Sequence, residues 1–156
     1  MRLPFTKMQG LSNDFVLIDE RKICYNLSSQ NFKTLADRRV GIGCDQVLII
    51  RDSTLHRAEA SYFVFNSDGS RADHCGNGLR CVARYLTKLQ GAAESIWIEV
   101  GDASVEAQIH LDTQVRVAMG LPEFEPKKIP LKMEHERKIY STNIDGRQVR
   151  FGAVAV

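Results

Sequence analysis

Residues 65–90 read FNSDGSRADHCGNGLRCVARYLTKLQ. The stretch predicts the end of a strand, a tight turn, and a helix with one cysteine at its mouth. Ser67-Asp68-Gly69-Ser70 is turn chemistry, with glycine where a positive φ is needed. From Gly76 to Gln90, Leu79, Val82, Ala83 and Leu86 recur at i, i+3, i+4 and i+7. Cys81, Tyr85 and Leu89 widen that arc. Asn77, Arg80, Arg84 and Lys88 leave one narrow polar stripe. A helix apolar over so wide an arc is mostly enclosed. Gly91 stands where a helix stop is expected, and Lys88 suits the negative end of the dipole.

Upstream, residues 5–9 and 15–19 predict two short strands, joined by turn residues 10–14 into a hairpin. Ser28 predicts an N-cap, and Phe32, Leu35 and Ala36 predict an amphipathic helix over residues 29–38. Gly41 and Gly43 interrupt the chain after it. The run Val47-Leu48-Ile49-Ile50, within residues 46–51, is short and β-branched, as a buried strand is. Residues 58–66 predict the strand that leads into the turn. Downstream, residues 95–100, 104–111 and 114–119 predict an antiparallel meander turning at Gly101-Asp102 and Asp112-Thr113. Residues 121–135 carry Pro122, Pro126 and Pro130 and read as a connection. Residues 138–144 and 147–156 predict a second hairpin around Asp145-Gly146.

The class expected is α+β: a curved, mostly antiparallel sheet partly wrapped around the helix from Gly76 to Gln90, with the 29–38 helix outside. Residues 1–120 are expected to form one domain. Residues 121–156 are expected to be a linker and the first strands of an incomplete second one. The apolar end, Phe151-Gly152-Ala153-Val154-Ala155-Val156, supports that expectation, since a sheet rarely leaves such a strand uncovered.

The chain has 156 residues, 44% hydrophobic and 26% charged, enough for an ordinary soluble core. Net charge is +2, with Lys and Arg scattered, so the basic stripe of a nucleic-acid binder is not present. No apolar run is long enough to span a bilayer, and the first seven residues lack the apolar core of a signal peptide. Four cysteines without a secretory signal are expected to be reduced thiols in the cytoplasm. Cys75 and Cys81 fall on different faces of the predicted helix, so a zinc site with His74 is poor geometry.

Cys75 is the chemically pointed residue. The thiolate is the reactive form of cysteine, and the partial positive charge and unpaired N–H groups of a helix N-terminus favour it. Gly76 and Gly78 are expected to keep the approach open, so that a carboxylate or phosphate meets the backbone N–H groups. A buried cysteine that merely caps the helix fits the same local pattern. Cys81 and Cys44 read as packing residues, Cys24 as part of a polar connection, and His74 as solvated.

Asp68-Gly69-Ser70, then Cys75-Gly76-Asn77-Gly78 and Arg80-Cys81, resemble the first-half active-site motif of the diaminopimelate epimerase family. Lys7-Met8-Gln9-Gly10-Leu11-Ser12-Asn13-Asp14-Phe15 is similar to its opening strand and loop. Leu35-Ala36-Asp37-Arg38, Gly41-Ile42-Gly43-Cys44-Asp45-Gln46 and Met119-Gly120-Leu121-Pro122 follow in the family's order. The resemblance implies a cofactor-independent isomerase that interconverts LL- and meso-diaminopimelate, on the route to lysine and peptidoglycan. It implies a small-molecule partner, with a homodimer left open. By position, Cys75 is one of two bases, Gly76 and Asn77 supply backbone donors to the substrate carboxylate, and Asn13, Gln46 and Asn66 contact the substrate. Each also has a plain reading: Asn13 as a turn residue, Gln46 as a polar strand start, Asn66 as a turn opener. A proline-racemase-like or phenazine-biosynthesis-like isomerase and a non-catalytic anion- or partner-binding half-domain are the alternatives.

Ser12 stands where the family usually has glycine, which costs energy if φ is positive. Cys44 stands where an aromatic or small apolar residue is more usual, and Asp102-Ala103 replaces a more glycine-rich turn. The family has two similar halves, each with a Cys-Gly-x-Gly helix start, and this sequence contains one. Cys24 precedes tyrosine, Cys44 aspartate and Cys81 valine. The 156 residues are therefore expected to lack the second thiol and to be inactive unaided.

Overall fold

The two left-handed residues Leu11 (φ 51°) and Ser12 (φ 69°) make the tightest kind of hairpin turn, matched to the twist of paired strands. The ladder therefore runs further into the turn than the sequence pattern predicts. β1 (Thr6–Gly10) and β2 (Asn13–Asp19) pair antiparallel up to Gly10 opposite Asn13. The computed structural model describes residues 2–90, 94–110 and 114–155. The expected turn at Asp112-Thr113, the stop at Gly91 and the terminal Val156 lie outside them.

After the hairpin, Ser28 caps α1 (Ser29–Ala36) in a reciprocal capping box with Asn31. The remaining elements of this unit are β3 (Gln46–Arg51), β4 (Ala60–Asn66), the short β5 (Arg71–Ala72) and α2 (Gly76–Gln90). They are followed by β6 (Ser95–Val100), β7 (Ala103–Ile109) and β8 (Val115–Val117). The sheet order is β1-β2-β3-β4-β6-β7-β8, with β5 paired to β4. Two pairings are parallel, β2 with β3 and β4 with β6; the rest are antiparallel. The short β5 was not anticipated, because Arg71-Ala72 carries no strand pattern; it forms because the Gly69 turn folds it back onto Val64 and Phe65.

α2 touches every strand of this path from β1 through β8, so the sheet curls around it. α1 packs on the opposite face, against β3 and β4. Both faces of the central strands are consequently buried, which is why Val47-Leu48-Ile49-Ile50 is apolar without alternation. Outward-facing Val16, Ile18, Val47 and Ile49 meet Phe32 and Ala36 of α1, and Phe32 stacks on Phe65 with ring centroids 3.8 Å apart. On the α2 side, Leu79, Val82, Ala83 and Leu86 are fully buried, as their spacing predicts. Burying side chains of this size stabilises by about 1.5–3 kcal/mol each for the larger ones. Leu89 departs from the expectation: it is 58% exposed, because the arc turns outward at the last turn.

The chain folds as two compact units, residues Met1–Ala118 and Met119–Val156. In the second unit a 3-10 turn (Pro126–Lys128) precedes the hairpin of β9 (Tyr140–Ile144) and β10 (Arg147–Phe151). Its turn is the predicted Asp145-Gly146, both residues left-handed. Tyr140 is buried and stacks on Phe151. No helix among the described residues is long and apolar enough to cross a membrane.

Candidate active site

Strand direction decides which end of the sheet collects the polar residues. β2 and β3 run parallel and begin, at Asn13 and Gln46, at the end where antiparallel β4 finishes with Asn66. Gln46 lies directly opposite Asn66, and its Nε2 donates to Asn66 Oδ1 at 2.9 Å. Asn66 Nδ2 in turn donates to Ser70 Oγ at 3.1 Å. The Asp68 carboxylate accepts from the Ser70 N–H and hydroxyl, at 2.9 and 2.6 Å, and fixes the turn. Inner-face alternation puts Gln46, Leu48 and Ile50 opposite Asn66, Val64 and Tyr62, all toward α2.

The N-terminus of α2 arrives at the same end. Cys75 is its cap: the Cys75 carbonyl accepts from Leu79 N–H at 2.8 Å, and the Gly78 N–H points at Cys75 Sγ at 3.5 Å. The Cys75 N–H donates to Tyr62 Oη at 3.0 Å, and Tyr62 Oη donates to the Cys75 carbonyl at the same distance. Gly76 and Asn77 occupy the first two helical positions, where backbone N–H groups have no intrahelical acceptor. Asn13, Gln46, Asn66, Cys75, Gly76 and Asn77 are all half-buried.

A directional hydrogen-bond relay joins Asn77 to Asn13. Arg80 Nη1 donates to Asn77 Oδ1 at 3.0 Å, Asn77 Nδ2 donates to Asn13 Oδ1 at 2.8 Å, and Asn13 Nδ2 faces Asp45 Oδ2 at 3.4 Å. Guanidinium only donates and carboxylate only accepts, so both amide orientations are dictated by the ends of the relay. Behind it, Arg38 grips Asp14 through both guanidinium nitrogens (2.9 and 2.6 Å) and reaches Asp45 at 2.9 Å. The Asp14 and Asp45 N–H groups exchange hydrogen bonds with each other's carboxylates. Lys7 adds an ion pair to Asp14 at 2.8 Å and donates to the Gly43 carbonyl. The Arg38 guanidinium, helped by Lys7, holds the Asp14 carboxyl well below the usual carboxylate range, against a smaller opposing effect of burial.

One feature differs from what the sequence suggests. Gly78 does not serve an open approach: a Cβ there would meet Leu48 Cδ2 at 3.0 Å, so this glycine lets α2 settle onto β3. Gly10 plays the same part for β1, where a Cβ would come within 3.2 Å of Cys81 Sγ. The sequence does not mark out Tyr62, Arg38 and Asp45, because Tyr62 reads only as a strand position and the other two act through partners far away in sequence. Among the remaining thiols, Cys44 and Cys81 are buried, as packing residues should be, and Cys24 is exposed. Burial pushes the Cys44 thiol up and the Cys81 thiol to about 11. His74 is exposed.

Two clefts of the first unit lie elsewhere. One of about 430 Å³ opens between the end of β1 and α2, at Met8, Gly10, Arg80 and Arg84. Another of about 770 Å³ lies on β6 and β7, at Glu94, Glu106, Gln108 and His110. Neither is lined by Cys75.

The family profile of diaminopimelate epimerase matches residues 5–125. The chain is 40% identical to the diaminopimelate epimerase of Alkalilimnicola ehrlichii, over 100% of this chain and 57% of the relative. It is 45% identical to that of Xanthomonas axonopodis pv. citri, over 99% of this chain and 55% of the relative. The chain thus spans little more than half the length of the curated relatives it matches. Among solved structures it is similar in fold to a hydroxyproline epimerase from Agrobacterium vitis. There the TM-score is 0.62 and the identity 13%, over 96% of this chain and 48% of that one. It is similar also to a methylitaconate-delta-isomerase, with a TM-score of 0.57 and 13% identity over 94% of this chain and 39% of that one. The chain belongs to the diaminopimelate epimerase family.

Proposed function

We propose that this chain carries one half of the active site of a cofactor-independent diaminopimelate epimerase, which interconverts LL- and meso-diaminopimelate for lysine and peptidoglycan precursor synthesis. The observation that carries the reading is the gathering of Cys75, Asn13 with Asn77, and Gln46 with Asn66 at the N-terminal end of α2.

The Cys75 thiolate removes the α-proton: the Cα–H bond breaks, its electron pair stays on the substrate, and the proton goes to sulfur. The resulting carbanion delocalises into the α-carboxylate, which gains negative charge as it forms. Fixed N–H donors of Gly76 and Asn77 then bind it better than the ground state, and that difference accelerates the step. The side chain of Asn77 is occupied by Arg80 and Asn13, which leaves its backbone N–H for this work. Asn13, Gln46 and Asn66 hold the substrate's other polar groups. Inversion requires a second acid on the opposite face. That thiol comes from the half of the family's site that these 156 residues do not supply, so this chain alone does not epimerise.

The hydroxyproline epimerase shares the fold at 13% identity, whereas identities of 36–45% belong to diaminopimelate epimerases. The test is α-proton exchange of LL-diaminopimelate in heavy water. The protein used is this chain joined to the remaining half of the Xanthomonas relative. Exchange that is lost with Cys75→Ser is the expected result. A folded joined protein that exchanges no α-proton from diaminopimelate would sink the reading.

A further inference from the structure

We propose that Tyr62 is a positioning residue for the Cys75 thiol: one buried hydroxyl grips both backbone polar groups of Cys75 and thereby fixes where its sulfur sits over the first turn of α2. The inference rests on the reading of Cys75 as a reactive thiol.

The geometry is unusual for a helix cap. A cap residue is held on its helical side by its own carbonyl, here through Leu79 N–H at 2.8 Å. On its other side the chain comes from a loop, Asp73-His74, whose residues are exposed. Rotation of the Cys75 backbone on that side would swing Sγ away. The Tyr62 hydroxyl closes that freedom, accepting from Cys75 N–H and donating to Cys75 C=O, both at 3.0 Å. Two bonds to one residue from one rigid ring fix the direction of its Cα–Cβ bond. The Gly78 N–H, 3.5 Å from Sγ, selects the rotamer about that bond.

Tyr62 is itself immobile. It sits in the middle of the sheet, opposite Ile50, with only 4% of its surface exposed. Burial pushes its phenol up to about 12, so the proton it gives to the Cys75 carbonyl stays in place across the neutral range. A proton transfer from carbon depends on placing the base to within about 1 Å. The strand delivers that placement from a position where alternation alone asks only for an apolar side chain.

Tyr62→Phe keeps the ring and removes the two bonds. The readout is alkylation of each cysteine by iodoacetamide, followed by peptide mass spectrometry across a pH series, with exposed Cys24 as the internal standard. The Cys75-to-Cys24 rate ratio is expected to fall about threefold to tenfold at neutral pH as the sulfur leaves the helix terminus. The pH–rate profile of Cys75 should change while that of Cys24 does not. Tyr85→Phe is the control, since the Tyr85 hydroxyl meets Asp19 at 3.3 Å, and it should leave the ratio unchanged. A folded Tyr62→Phe chain with an unaltered ratio and profile overturns the proposal. If that variant does not fold, amide exchange in the unmodified chain decides. A Cys75 N–H protected like the hydrogen-bonded interior of α2 supports the clamp, and one exchanging at the rate of an exposed loop overturns it. Alkylation needs no substrate and no second half, so failure of this inference and failure of diaminopimelate exchange are separate results.

Discussion

Asn77 Nδ2 donates to Asn13 Oδ1 at 2.8 Å, which ties the first turn of α2 to the β1–β2 turn across 64 residues of sequence. Each amide is oriented by a neighbour with only one hydrogen-bonding sense, Arg80 at one end and Asp45 at the other. The two candidate contacts are therefore a coupled pair.

Coupling of this kind has a measurable size. Asn13→Ala and Asn77→Ala should each destabilise by about 1 kcal/mol, as a half-buried hydrogen bond does. The double variant should cost less than the sum, by about 0.5–1 kcal/mol. Urea unfolding of the four proteins measures the cycle. Additive losses would show that the two amides do not share their bond in solution.

Gly78→Ala pits two effects against each other. Alanine gains up to about 1 kcal/mol of helix propensity. The added methyl must push on Leu48 Cδ2 at 3.0 Å, and Leu48 is fully buried. Overpacking of about 1–3 kcal/mol wins, so the variant is expected to be less stable. Leu48→Val in the same chain should recover part of the loss. A more stable Gly78→Ala protein would show that α2 does not sit this close to β3.

The β1–β2 turn carries strain that a different sequence would not. Leu11 is exposed and left-handed at φ 51°, and Ser12 is left-handed at φ 69°. Each costs about 1 kcal/mol relative to a residue suited to that region. Replacing the pair by Asn-Gly, the preferred residues of such a turn, should raise Tm by about 2–6 °C. Calorimetry checks this, and an unchanged or lowered Tm would argue against a left-handed turn.

Asp14 makes a pH prediction with a definite sign. Its folded-state pKa is depressed, chiefly by the Arg38 hydrogen bonds and then by Lys7, against the opposing cost of burial. The stabilisation is therefore full above the unfolded aspartate value of about 3.9 and is lost as pH falls toward the lower folded value. Arg38→Gln removes the main cause. Thermal melts between about pH 7 and 2 should show a lower Tm for the variant at neutral pH and a shallower acid loss. Parallel curves for the two proteins would mean that Arg38 is not what holds Asp14 ionised.

Local chemistry was sufficient for every element built on its own residues. The i, i+3, i+4, i+7 spacing of Leu79, Val82, Ala83 and Leu86, the Ser28 box and the Asp145-Gly146 turn need nothing from the rest of the chain, and each forms where its pattern predicts. The same holds for the one cysteine at the mouth of α2. What those patterns could not contain is partnership. Asn13, Gln46 and Asn66 each read equally well as a turn or strand-end residue, and only family resemblance grouped them. The sheet brings them together because β2 and β3 start where β4 ends, a matter of strand order rather than of composition. Tyr62 and Gly78 show the limit most clearly. One looks like a strand aromatic and the other like a glycine that keeps an approach open. Their roles come from Cys75 and Leu48, which approach them only once the sheet has curled around the helix. A hydrogen bond or a 3 Å contact belongs to two residues at once, so a pattern confined to one stretch of chain carries only half of it.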